Sequence, residues 1–140
     1  MKRIHLLRIE PGMDPSLWEP LLAAVHSDGG RAGRLRWHPG RPSEDEALAL
    51  ASGFLRSVEV ATNGALVRKP RTGPPVLTDI LREHFRGCRV VLVEGEASEG
   101  LAAIPRLEPT ANGFRLDLDG AQLALSAIEL ANRLRRPRLF

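Results

Sequence analysis

The chain contains no tyrosine and a single cysteine, and aromatic residues make up only 4% of its 140 positions. Each shortage excludes something. One cysteine, Cys88, leaves no partner for an internal disulfide, as expected of a cytoplasmic protein. It precedes an apolar run, so the thiol reads as buried and inert, with a reactive thiol as the alternative. So few aromatics argue against a surface on which nucleic-acid bases stack, and nucleic acid is not an expected partner. No stretch approaches the roughly 18 apolar residues of a membrane helix. The opening MKRIHLLRIE is basic, then apolar, but too short for a secretory leader and without a small-residue cleavage site. His5, His26 and His84 show no metal-ligand spacing with one another or with Cys88. There is no G-x-G-x-x-G, and no G-x-S-x-G turn for a nucleophilic serine.

What is present is ordinary in amount. Hydrophobic residues are 43% and charged residues 26%, which suits one globular domain over 1–140, with 135–140 as a short basic tail. The net charge of +3 is modest and is concentrated in RLRRPRLF and RKPRTGPP. Such clusters attract acidic partners. The plainer reading is a solvated helix end whose arginines complement the C-terminal dipole.

Periodicity predicts a strand over Lys2–Ile9 and a helix over Ser16–His26, with Asp14 as N-cap and Pro15 at the first helical position. Pro20 is then expected to kink that helix or remove a hydrogen bond. Ser27–Gly30 stops it, and Arg31–Trp37 alternates as a second strand. Ser43–Leu50 reads as a short helix opened by a Ser43/Glu46 capping box. Ser57–Thr62 and Ala65–Lys69 form a hairpin about Asn63-Gly64. Val76–Phe85 is helical. RVVLVE, Arg89–Glu94, reads as a central parallel strand buried on both faces. Ile104–Glu108 and Phe114–Leu118 are short strands, and Gly120–Arg136 is a long amphipathic helix. Strands alternating with helices predict a mainly parallel, doubly wound α/β sheet with an antiparallel part. Sites in such folds lie beyond the strands' carboxyl ends, here at Glu10–Pro15, His38–Pro42 and Gly95–Ala103.

Three segments, in matching order and spacing, carry a family resemblance. MKRIHLLRIEPGMDPSLWEPLLAAVHSDGGRAGRLRWH, CRVVLVEGE and IPRLE resemble the MobB family, the P-loop GTP-binding adapters of molybdopterin-guanine dinucleotide biosynthesis. The resemblance implies a three-layer α/β fold of P-loop NTPase type, GTP and Mg²⁺ as ligands, and a homodimer with the hairpin as a candidate contact. It also implies a molybdenum-cofactor nucleotidyltransferase as partner.

The phosphate-binding motif departs from the family's G-x-x-x-x-G-K-[ST]. Laid without gaps, Arg8 and Met13 take the two glycine positions, Asp14 the lysine and Pro15 the hydroxyl residue, followed by Ser16. Only Gly12 remains as a glycine in the turn. A phosphate cradle needs glycines so that successive N–H groups converge on the anion. Pro15 removes one N–H and one hydroxyl. Asp14 replaces attraction by repulsion, and unit charges a few Å apart near a surface interact by about 4 kcal/mol. The turn therefore reads as a dismantled nucleotide site over Arg8, Gly12, Met13, Asp14, Pro15 and Ser16, and no cofactor is expected to bind. As plain structure, Asp14-Pro15-Ser16 is a good helix start.

Glu94 stands where the family has its acid near Mg²⁺, with Glu96 and Glu99 close in sequence. It is either a hard-cation ligand or a strand-end carboxylate bonded to backbone N–H groups. Arg36 and His38 fall where the family has Lys-His; they are either an anion site or exposed residues beside a packed Trp37. No catalytic residue is assigned. The expected function is a non-catalytic MobB-like adapter. The alternatives are a nucleotide- or anion-binding protein with a site relocated to Arg36, His38 and Glu94, or a basic interaction module.

Overall fold

A computed structural model describes residues 3–38, 57–68 and 74–137. The chain divides into two compact units, Met1–His38 with Leu81–Phe140, and Pro39–Ile80. The expected helix Ser43–Leu50 lies outside the described residues.

The larger unit is an α/β structure on a six-stranded sheet. Its strands are β1 (His5–Ile9), β2 (Ala32–Arg36), β5 (Val90–Glu94), β6 (Arg106–Thr110), β7 (Gly113–Leu118) and β8 (Ala121–Leu125), in the order β2-β5-β1-β6-β7-β8. Between β2 and β5 in the chain come β3 (Ser57–Ala61) and β4 (Gly64–Arg68), which among the described residues pair with each other as a two-stranded sheet. β2, β5, β1 and β6 run parallel; β7 and β8 are antiparallel additions. All five residues of β5 are buried, as an unbroken apolar run with two covered faces requires. The edge strand β2 alternates exposed and half-buried residues, and its exposed arginines discourage edge pairing.

Helices α1 (Glu19–Ser27) and α3 (Ala127–Leu134) pack against each other on one sheet face. Leu21 and Val25 of α1 and Leu130 and Leu134 of α3 meet Leu7, Ile9, Leu92 and Leu116 in the core. The ring of Trp18 stacks on that of Phe114 at 6.1 Å between centroids and 13° between planes. α1 ends in a Schellman motif, where Gly29 (φ +76°) and Gly30 donate to the carbonyls of His26 and Val25.

Three expectations change. The first helix does not run from Ser16. Asp14 caps a 3-10 turn, Pro15–Trp18, and the α-helix starts at Glu19. Pro20 thereby falls in the first helical turn, where its missing N–H would have had no intrahelical partner, so the expected kink does not arise.

Gly120–Arg136 is not one helix. Asp119 (φ 44°) and Gly120 (φ +83°) form a tight turn, and Ala121–Leu125 returns as β8 against β7. Two left-handed residues in succession suit a two-residue hairpin, which outweighs the modest helical pattern of AQLAL. Ser126 then caps α3 by accepting from the Glu129 N–H, and Ile128 is left exposed.

The β3–β4 hairpin forms in the second unit, but Ala61 pairs with Gly64, so its turn residues are Thr62 and Asn63, one position earlier than expected. Val58, Val60, Ala65 and Val67 share one of its faces and are exposed. Helix α2 (Leu77–His84) begins in this unit and ends in the larger one.

Candidate functional site

The chain leaves β1 for β2 on one side of the sheet and leaves β5 for β6 on the other. These two crossovers diverge between β1 and β5, where Ile9 and Glu94 are the last paired residues. A sheet of this kind presents its binding crevice beyond that point.

Glu94 dominates the crevice. Its side chain is 7% exposed. Gly12 donates its backbone N–H to Glu94 Oε1 at 2.9 Å. Arg34 Nη2 and Arg36 Nε both donate to Oε2, at 2.9 and 3.3 Å. The positions follow from strand pairing. Arg34 and Arg36 face Leu92 and Glu94 across β2 and β5, two residues apart and so on one face. Burial, the largest single influence, pushes the Glu94 carboxyl pKa up. The bonds from Gly12, Arg34 and Arg36 together outweigh it and hold the group below its ordinary value.

Gly12 adopts φ +81°, a conformation that costs glycine little and turns its N–H toward Glu94. Gly95 has a steric role. A Cβ there would stand 2.5 Å from Leu101 Cδ1 and 2.9 Å from the Trp37 carbonyl oxygen. Trp37 is fixed on both sides, its N–H bonded to the Glu94 carbonyl at 2.8 Å and its indole Nε1 to the Glu99 carbonyl at 3.2 Å.

The expected turn residues separate into two groups. Gly12, Met13, Asp14, Pro15 and Ser16 do lie together after β1. Met13 packs on the core, and Asp14 Oδ1 accepts from the Ser16 N–H at 3.0 Å. That N–H and the Ser16 hydroxyl hold the Asp14 carboxyl below the usual range. Arg8 is not in the turn. It is the fourth residue of β1, and strand alternation puts its side chain on the face away from α1 and α3. Of the second expected group, Glu94 and Arg36 come together, whereas His38 is exposed beyond the end of β2. Arg34 was missed in the sequence. Its signal was period two, since Arg34 and Arg36 alternate with Gly33 and Leu35 in a strand.

A magnesium nucleoside triphosphate does not fit these residues. The Gly12 N–H already has an acceptor, Asp14 bonds the next turn, and Pro15 has no N–H. A cation at Glu94 would have to displace two guanidinium groups. The cavity beneath the turn, lined by Met13, Trp18, Leu92 and Glu94 among others, holds about 140 Å³, below the roughly 300 Å³ at which ligand pockets begin. Among the described residues, no three His, Cys, Asp or Glu side chains gather as a metal site, and no helix is long and apolar enough to cross a membrane. What the arrangement does chemically is lock the turn to two neighbouring strands through one carboxylate.

No protein-family model matches the chain, and neither does any curated protein.

Proposed function

We propose that this chain is a non-catalytic adapter of MobB-like, P-loop NTPase descent that acts through protein contacts and has lost GTP binding at the turn after β1. The observation that carries this reading is the Glu94 carboxylate accepting the Gly12 N–H. A phosphate cradle supplies convergent N–H groups to an anion; here the protein's own carboxylate is that anion. Arg34 and Arg36 complete its neutralisation. The strand order β2-β5-β1-β6, with the turn at the divergence of the crossovers, and the resemblance of the three sequence segments support the ancestry. The exposed valines of the β3–β4 hairpin support a homodimer through that element. By the same resemblance, the partner is a molybdenum-cofactor nucleotidyltransferase.

Calorimetric titration with GTP and Mg²⁺, beside ATP and GDP, tests the loss of nucleotide. The expected result is no saturable heat at concentrations that detect a dissociation constant of about 100 μM, or about −5.5 kcal/mol. Saturable binding abolished by Glu94→Ala would overturn it. Titration with a molybdenum-cofactor nucleotidyltransferase tests the partner separately, and absence of binding removes the molybdenum connection while leaving the nucleotide result intact.

A further inference from the structure

Arg8 lies outside the turn, and its surroundings differ from those of Glu94. Its register partner on β6 is Arg106, and the partner of Arg106 on β7 is Asp117. The three side chains form a row across one sheet face. Two arginines side by side repel and each needs an answering charge. Arg106 has two, Glu10 at 3.2 Å and Glu108. Arg8 has none among the described residues, and its Nε is buried with no hydrogen-bond partner. Asp117 Oδ1 is also buried and accepts no hydrogen bond, though Arg115 Nε stands 3.9 Å from it as an ion-pair partner.

These groups line a cavity of about 870 Å³ formed by β1, the segment 102–105, the turn after β7 and Pro137. Arg3, Asp117 and Asp119 also line it. The volume lies within the range of small-molecule pockets. Arg8 lines this cavity and has no answering charge among the described residues, so its guanidinium group is open to an acceptor from outside the chain.

We propose that this cavity binds a small phosphate monoester bearing hydroxyl groups. Arg8 is its principal anion contact, Arg3 and Arg106 flank the phosphate, and Asp117 accepts from a ligand hydroxyl. One guanidinium fork satisfies a planar carboxylate, whereas several arginines lining one cavity match the larger set of acceptors on a phosphate. The two aspartates disfavour an extended polyanion, because a nucleic-acid backbone carried across the cavity would meet like charge. The same aspartates suit a ligand that ends in hydroxyl donors. This site is separate from the turn at Glu94 and goes beyond the adapter reading; either holds without the other.

The test follows the arginine Nε–Hε resonances by NMR during titration with inorganic phosphate and with glycerol 3-phosphate, at constant ionic strength balanced with chloride. Arg8 Hε is expected to shift saturably with both probes, and glycerol 3-phosphate is expected to bind several-fold tighter. Arg8→Gln is expected to weaken both by about tenfold or more, and Arg8→Lys by less, since the charge stays and the fork is lost. Asp117→Asn is expected to remove the preference for glycerol 3-phosphate and leave inorganic phosphate almost unchanged. Linear, non-saturating shifts in the unaltered protein overturn the proposal without recourse to any variant. So does phosphate binding that survives Arg8→Gln in a variant whose amide spectrum remains folded, and so does binding to an oligonucleotide with no response to either phosphate probe.

Discussion

Gly12 and Glu94 are 82 positions apart in the chain, and the N–H of the first donates to Oε1 of the second at 2.9 Å. The bond ties the turn after β1 to the end of β5, and the two guanidinium groups of β2 close the same carboxylate from the other side. Three segments far apart in sequence thus depend on one side chain.

Replacing that side chain leaves three donors short of an anion. Glu94→Gln is expected to destabilise the fold by about 1–2 kcal/mol, since the charge-assisted bonds from Gly12, Arg34 and Arg36 become neutral ones and an amide N–H group is set against a guanidinium. A urea unfolding midpoint equal to that of the unaltered protein would show that the network contributes nothing.

Acid unfolding should show the same group. Folded Glu94 holds its proton more weakly than its ordinary value of 4.5, because the bonds from Gly12, Arg34 and Arg36 outweigh the opposing effect of burial. A lowered folded pKa gives stability that is complete above the unfolded value and is lost as the pH falls through the folded one. The urea midpoint, followed downward from about pH 6, is therefore expected to fall more steeply below the unfolded value than that of Glu94→Gln. Parallel curves for the two proteins would contradict the assignment.

The turn between β7 and β8 makes a separate prediction. Gly120 sits at φ +83°, and alanine there is expected to cost about 1–2 kcal/mol. Had residues 120–136 formed one helix, the substitution would fall at its first residue and carry no left-handed strain. An unchanged thermal midpoint would therefore contradict the turn.

Gly95→Ala places a methyl group against Leu101 and 2.9 Å from the Trp37 carbonyl. Leu101 can turn aside, but the backbone oxygen must move. The expected loss is about 1–3 kcal/mol, read from the thermal midpoint, as for other overpacked sites. No loss would mean that the segment after β5 adjusts freely.

The hairpin predicts an assembly effect. Val60 is 77% exposed on a face with Val58 and Val67. Val60→Glu is expected to shift sedimentation from dimer toward monomer while leaving the monomer folded. A chain that sediments as a monomer without the substitution would remove the hairpin contact.

Much of the larger unit was legible because its signals were local. VVLVE has no polar interruption before its final acid, so it reads as a doubly covered strand, and it is one. The glycines after α1 stop it where a left-handed residue is needed. AQLAL was misread because Leu123 and Leu125 satisfy a period of two, while Leu123 with Ala127, Leu130, Ala131 and Leu134 satisfies a helical one. The deciding signals were the short ones, Asp119-Gly120 for the turn and Ser126 with Glu129 for a fresh helix start. Arg8 was assigned to the phosphate turn by gapless comparison with a motif, although the strand expected over Lys2–Ile9 already contained it. The Arg34–Glu94 pair could not be read at all. It exists because β5 inserts between β1 and β2, a fact of strand order and not of any one segment.

The two tryptophans give this protein an optical property. With tyrosine absent from the whole chain, Trp18 and Trp37 supply essentially all of its near-ultraviolet emission. Trp18 lies buried under the turn against Phe114, and Trp37 is pinned beside the end of β5 by the Glu99 carbonyl. Trp18 lines the cavity beneath the turn together with Glu94, and the Trp37 N–H donates to the Glu94 carbonyl. Intrinsic fluorescence is therefore a local signal: a ligand, a partner or a proton that disturbs the strands' carboxyl ends changes its colour or intensity, without a label and without background from elsewhere in the chain.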